Sequence, residues 1–299
     1  MEPDEPFPAM PLEGWRDTKE TLHRILQIVG KVRMAASPPR NHWWHVPLYV
    51  TARGLTTSPM LAAGRVFEID LDLIGHRLEV RAASGEAHAF ALPGLSVAGV
   101  YERLTAALRA LGLEVAIAHP LPFDRPDRTP FADDREHDAY DPERVRTYAA
   151  ILAQVDALLK EFAGRFDGKT SPVHHFWHTM DLAVTRFSGR RADLPADVDP
   201  VTREAYSHEV VSFGFWFGDD VIAAPAFYSY TAPQPAGLAE EPLRPAAARW
   251  VEARGSHLAL LMYDDVRSEP APRELVLDFL ESAWEAGSRG VGWEGPAGA

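Results

Sequence analysis

Leu22, Ile25, Leu26, Val29 and Val32 recur at three- and four-residue spacings, the signature of one apolar helical stripe. The spacing predicts a helix from near Asp17 that stops before Ser37-Pro38-Pro39, where proline cannot continue it. Between Val46 and Arg53 the period changes to two, with Leu48 and Val50 alternating with Tyr49 and Thr51, and a strand is expected. From Phe67 to Leu73 apolar side chains alternate with Glu68, Asp70 and Asp72, the pattern of a half-buried strand. Turn residues at Gly75-His76 and Ser84-Gly85 link it to strands over Arg77–Arg81 and Ala87–Leu92 in an antiparallel meander. A second helical stripe (Val97, Val100, Leu104, Leu108, Leu111) ends at Gly112, and a short strand is expected over Leu113–Ala118.

His119–Pro142 has no period and reads as a Pro- and charge-rich connector. Asp141-Pro142 then has the chemistry of a helix start, an N-cap acceptor followed by proline in the first turn. A long apolar stripe runs from there to Phe166. At this point residues 37–51 can be laid on 171–185 at a constant offset of 134 without a gap, with Ser, Pro, Trp, Leu, Val and Thr coinciding. Strands are expected to begin near Met180, over Tyr206–Phe217 and over Phe227–Tyr230. A helix over Glu274–Trp284 and a closing strand at Val291-Gly292-Trp293 follow. The expected fold is α+β: two pseudo-symmetric halves, each helix–antiparallel strands–helix–strand, packed into one compact body. The first half spans residues 1–119, the connector 120–142 and the second half, an internal repeat of the first, 143–299.

Composition narrows the chemistry. The 43 acidic and 30 basic residues give a net charge of −13, and no basic stripe offsets it, so nucleic acid is not an expected partner. The absence of cysteine excludes disulfides, thiolate metal sites and a cysteine nucleophile. No apolar run approaches the ~18 residues of a membrane span, so a membrane partner is not expected either. Met1–Pro11 is acidic and proline-rich, unlike a secretory signal, which makes the cytoplasm the expected location. Arginine outnumbers lysine 26 to 4, a bias that reads as high genomic G+C content. A dinucleotide glycine fingerprint, a phosphate-binding loop, a nucleophile elbow and a His-Glu-x-x-His pair are all missing.

Candidate chemistry gathers at the two aligned corners. The first has His42 and His45, the second His174, His175 and His178. Imidazole serves both proton transfer and metal ligation. His42, His45 and His174 are therefore candidate acid–base groups, and His175 and His178 candidate ligands for a divalent metal. Glu68 and Glu209 are the carboxylates expected to assist, and Arg53, Arg186, Tyr49 and Arg190 the groups expected to hold a substrate. The bland counterparts are histidines bonded to backbone at a crowded aromatic corner and a solvated strand face laced by cross-strand ion pairs. The run Asp133–Asp138 reads as a solvated connector, or as a flap in which Glu136 and His137 face a pocket.

The strings Ser37-Pro38-Pro39, Asn41 to Pro59 and Asp181 to Arg190 resemble those of a bacterial family known only as a domain of unknown function. So do Asp134-Arg135-Glu136-His137 and Arg203 to Glu209. The resemblance spans nearly the whole chain. It implies a soluble bacterial protein of one architecture, and it brings no activity, cofactor or catalytic residue with it.

Two functional readings follow. One is an enzyme acting on a small polar or anionic metabolite, with histidine and carboxylate acid–base or metal chemistry where the halves meet. The other is a non-catalytic ligand-binding or protein-interaction protein. A small-molecule ligand is expected in the first, and the oligomeric state stays open in both.

Overall fold

The computed structural model describes residues 7–253 and 255–293; the first six residues of the acidic N-terminal stretch lie outside them. The chain forms two units. One holds residues 13–153 and 174–180, the other 7–12, 154–173 and the described residues from 181 onward.

The first unit is organised by α1 (Arg16–Ala36), which ends at Ser37 as the proline pair requires. Its apolar stripe is fully enclosed, but so are Thr21, His23, Arg24, Gln27, Lys31 and Arg33, so the helix is covered on nearly all sides. A 3₁₀ turn at Asn41–Trp43 leads to β1 (Tyr49–Thr51), β2 (Gly54–Thr56), β3 (Met60–Ala62), β4 (Arg65–Asp72), β5 (Arg77–Ala82) and β6 (Ala87–Ala91). These strands pair antiparallel in the order β1-β2-β4-β5-β6, with β3 also on β4. Helix α2 (Val97–Ala110) follows, capped by the Ser96 hydroxyl, which accepts the Gly99 N–H. Gly112 at φ +66° closes it, and the Leu113 amide reaches back to the Leu108 carbonyl in the six-residue C-terminal motif. Helix α3 (Pro142–Gly164) starts in this unit, with the Asp141 carboxylate accepting the amides of Glu143 and Arg144. The short strand β7 (His174–Phe176) returns to it.

The second unit takes the C-terminal part of α3 and adds β8 (Asp181–Arg191), α4 (Pro200–Ala205), β9 (His208–Trp216), β10 (Ala226–Ala232), β11 (Arg249–Ala253), β12 (Ser256–Met262), α5 (Tyr263–Arg267) and α6 (Pro272–Gly290). Its strands lie in the order β11-β12-β10-β9-β8, all antiparallel. Successive side chains of β9 point to opposite faces. Phe213 packs edge-on against Phe162 of α3 at 4.7 Å. Gly287 of α6 lies so close to Val211 and Thr231 that a Cβ there would sit 2.4 Å from the threonine hydroxyl.

Helices packed with antiparallel sheets make the protein α+β. The helix stripes and the β4–β6 meander stand where the periodicity puts them. Two expected closing strands do not form ladders. Leu113–Ala118 has no strand partner among the described residues, and Val291-Gly292-Trp293 is the turn that caps α6. The expected strand over Val46–Arg53 shortens to three residues because the chain reverses at Ala52-Arg53 to place Gly54 against the Leu71 carbonyl. Among the described residues no helix is long and apolar enough to cross a membrane.

Candidate functional site

The two histidine-bearing corners belong to the same unit and touch through their backbones. Leu48 and His175 exchange both N–H···O=C bonds at 2.8 Å, and the Trp177 indole donates to the Val46 carbonyl at 2.9 Å. Trp177 is seated directly on Gly30 of α1, where any Cβ would lie 2.2 Å from the indole. His42 and Trp43 make the first corner with two successive left-handed residues, at φ +56° and +59°.

The side chains so assembled are mostly enclosed. His175 is fully buried, and its Nε2 shares a 2.8 Å hydrogen bond with the Tyr148 hydroxyl. His174 is 1% exposed, edge-on to Phe176 at 4.7 Å, and its Nδ1 has no hydrogen-bond partner. His23 bonds the His178 carbonyl at 3.0 Å and meets the Gln27 amide at 3.2 Å. Burial pushes the pKa values of His23, His174 and His175 down to about 3. The positive charge of Arg33 adds to the effect at His174, and that of Arg125 at His23. The neighbouring imidazoles of His23, His178 and His174 do the same at His175. These three rings are therefore neutral at pH 7. His45 accepts the Arg40 amide through Nδ1 at 3.1 Å and lies beside Trp43, and His42 lies beside Trp44. His178 is ringed by Phe123, Phe176 and Trp177.

Around this corner stand cations absent from the expected set. Arg33 is 5% exposed. It donates to the Thr57 carbonyl and lies 5.3 Å from the Tyr49 ring, while its Nε is enclosed without a partner. Lys31, two residues earlier, is also 5% exposed, with its ammonium 5.8 Å from the Trp177 ring centre. Burial lowers the pKa of both. Arg128 lowers Lys31 further, and Arg40 lowers Arg33 further against the opposing Tyr49 phenol. Among the described residues no carboxylate is within ion-pair reach of Lys31, Arg33, Arg40 or Arg128. Arginine in a helix stripe reads as surface, so burial of α1 on nearly every side hides these groups from periodicity alone. Tyr49 and His174 are the expected site residues that the fold brings to Arg33.

The remaining expected residues lie elsewhere. Glu68 stands directly across from Arg81 on the β4–β5 ladder, and Arg81 binds it at 2.9 Å and also binds Asp70. Arg53 is bound at 2.8 Å to Asp72, whose carboxyl is half-way into the turn at Gly75. Burial would raise Asp72, but bonds from Arg53 and the Gly75 amide, with the charge of Arg77, hold it below the ordinary range. In the second unit Glu209 accepts from Ser188 and Arg190, each at 2.8 Å, and from the Trp293 indole at 3.2 Å. Those bonds outweigh burial and keep it lowered. Arg190 also donates to the carbonyls of Val291 and Gly292.

Arg186 is 2% exposed in the same unit. Its guanidinium lies 3.8 Å from the ring centre of Phe162, 4.9 Å from Trp284 and 5.0 Å from Phe166, and donates to the Phe162 carbonyl at 2.9 Å. Burial lowers its pKa to about 10 despite the charge of Glu281.

Among the described residues the one set of carboxylate and imidazole ligands that converges is Asp127, Asp134 and His137, with atoms within 4.8 Å of one another. It does not include His175 or His178. The Arg24 guanidinium already sits on it, 3.1 Å from Asp127 and 3.2 Å from Asp134, and His137 turns its Nδ1 to Asp134 at 2.9 Å. The acidic run thus folds inward as a clasp on α1. The amides of Val97 and Ala98 at the start of α2 bond the carbonyls of His137 and Asp134.

A model of the family described as "Family of unknown function (DUF5996)" matches residues 7–298. The chain belongs to that family. No curated protein and no solved structure matches it.

Proposed function

We propose that this protein binds a small anionic metabolite at the corner between α1 and β7. One observation carries the reading: Arg33 is 5% exposed and has no carboxylate within ion-pair reach among the described residues, and the positive charge of Arg40 adds to burial in disfavouring its own charge. A buried charge without a counter-ion costs several kcal/mol, and like charges nearby add to that cost. A bound anion removes both penalties. A guanidinium offers paired N–H donors matched to carboxylate or phosphate. The Tyr49 phenol and the open Nδ1 of His174 supply further polar contacts.

The same arrangement gives His174 a chemical role in the enzyme reading. A neutral imidazole held at a pKa of about 3 is a poor base. An anion beside it stabilises the imidazolium and raises that pKa toward neutrality, where imidazole exchanges protons effectively. Binding without turnover is favoured by a different observation. Glu68 and Glu209 are each engaged by an arginine of the neighbouring strand, which leaves neither carboxylate free for proton transfer.

The test is stabilisation by simple anions. Malonate and inorganic phosphate should each raise the unfolding free energy, by about 2.7 kcal/mol at a hundred times Kd, and malonamide should not. The variant Arg33→Met/Arg40→Met should keep its fold and lose the response. An equal response in that variant, or none in the wild type, overturns the reading.

A further inference from the structure

We propose that β6 is the seam of a homodimer, pairing antiparallel with β6 of a second copy about a twofold axis through Ala89. β6 ends the sheet of the first unit, and among the described residues no strand pairs with its outer edge. At the two ends of the β5–β6 ladder the Ala82 amide bonds the Glu86 carbonyl and the Leu92 amide bonds the His76 carbonyl. Hydrogen-bonded and non-hydrogen-bonded pairs alternate along an antiparallel ladder. His88 and Phe90 therefore direct their backbone groups to Val80 and Leu78, while those of Ala87, Ala89 and Ala91 point outward. Ala87, His88, Ala89 and Ala91 are exposed and Phe90 is half-buried, so the edge lies open.

Such an edge is a template for another strand, and proteins ordinarily blunt it with a charge, a proline, a bulge or mere shortness. Other terminal strands of this chain follow that rule: β11 carries Arg249 and Glu252, and β1 has three residues. Ala87–Ala91 has five residues in unbroken register, with no Asp, Glu, Lys, Arg or Pro among them.

The register names the occupant. With the axis on Ala89, Ala87 meets the second copy's Ala91 and Ala89 meets its own counterpart, so every outward backbone group finds a partner. On the face shared with the buried Leu78 and Val80, His88 comes opposite the second copy's Phe90. That is a non-hydrogen-bonded pair, in which side chains approach most closely, and it covers the open side of Phe90 twice over. On the opposite face the three alanines bring neither bulk nor charge to the axis. Two chains of net charge −13 thus meet where neither is charged. A strand that matches itself on reversal is what a twofold contact between identical surfaces requires.

The experiment is sedimentation equilibrium of the full chain at micromolar concentration. The wild type should sediment at twice its 33.1 kDa. Ala89→Lys sets like charges face to face on the axis and should raise the dimer Kd at least tenfold. Ala89→Pro should do the same, because it removes an N–H that β5 does not use. Both should keep the circular dichroism of the wild type. Register is read separately, in a chain that has no cysteine of its own. Mild oxidation of mixed His88→Cys and Phe90→Cys chains should link one of each, their Cα atoms lying about 4.5 Å apart, in preference to either like pair. A monomeric wild type, an Ala89→Lys variant that dimerises as tightly as the wild type, or oxidation that favours a like pair overturns the proposal. Should the position-89 variants lose their fold, the wild type still decides. Its Ala87, Ala89 and Ala91 amides must exchange at least tenfold more slowly in concentrated than in dilute protein, and exchange independent of concentration overturns the seam.

Discussion

Gly30 tests whether the corner is held as described. Its backbone is ordinary α-helix, so replacing it by alanine in an exposed helix would stabilise by about 1 kcal/mol. Here the new methyl would lie 2.2 Å from Cγ and Cδ1 of Trp177. Carbon atoms pack at roughly 3.5–4.0 Å, so the indole or the helix must give way by more than about 1 Å. Neither has room. Trp177 is 5% exposed and its N–H is engaged by the Val46 carbonyl, and the flanking residues of α1 are enclosed. Overpacking of this kind costs about 1–3 kcal/mol. Strain on the indole hydrogen bond adds about 1 kcal/mol, which the propensity gain of about 1 cancels. Gly30→Ala should therefore destabilise by roughly 1–3 kcal/mol. The assay is urea unfolding followed by circular dichroism, with the tryptophan emission of the folded state as a second readout. In a double-mutant cycle with Trp177→Leu the penalty should largely vanish, because the shorter side chain leaves space for the methyl. An alanine variant as stable as the wild type, or more stable, would refute the seating of Trp177 on α1.

Further expectations follow from the same geometry. Because His23, His174 and His175 have folded pKa values near 3 against 6.5 unfolded, the unfolded chain binds more protons between those limits. Stability is then complete above pH 6.5 and falls as the pH drops, each ring contributing up to about 1.4 kcal/mol per pH unit; equal unfolding free energies at pH 7.5 and pH 5 would contradict the burial of neutral rings. Asp134→Ala removes a 2%-exposed partner from the 3%-exposed Arg24 but leaves Glu20 and Asp127. A loss of about 2–4 kcal/mol in denaturant is expected, less than for an unrelieved buried charge. For Arg186 the aromatic surroundings predict a split: Arg186→Ala should cost about 2–4 kcal/mol by opening a cavity, whereas Arg186→Met should remain within about 1 of the wild type. A methionine variant as damaged as the alanine one would show that the charge itself is needed.

The parts of this fold that repeat a local period were legible in the chain. The stripe of α1, the alternation of β4 and the Asp141-Pro142 start of α3 each follow from a pattern confined to a few residues. Lengths of ladders were not, because a ladder needs a partner. Leu113–Ala118 has a strand-like composition and no strand partner among the described residues, and Tyr49–Thr51 is cut short by the reversal that brings Gly54 to Leu71. At the candidate site, imidazoles and Tyr49 were visible as residue types at the corners. Lys31 and Arg33 were not, since a helix pattern assigns charged residues to solvent and gives no sign that α1 would be covered from both sides. The acidic run at Asp133–Asp138 shows the converse error of local reading. Its charge suggests solvent, yet Asp134 turns inward because Arg24 waits for it.

The chain passes between its two units four times, after residues 12, 153, 173 and 180. During synthesis the first unit therefore stays unfinished until the ribosome has supplied Met180, although most of it is encoded before residue 154. The other unit, in turn, keeps the Phe7 ring and the Pro8 carbonyl in waiting for Tyr263, some 250 residues later. Neither body can be released by a single cut in the gene, so shuffling or truncating this sequence by halves would deliver two incomplete folds where a simple tandem array would deliver two sound ones.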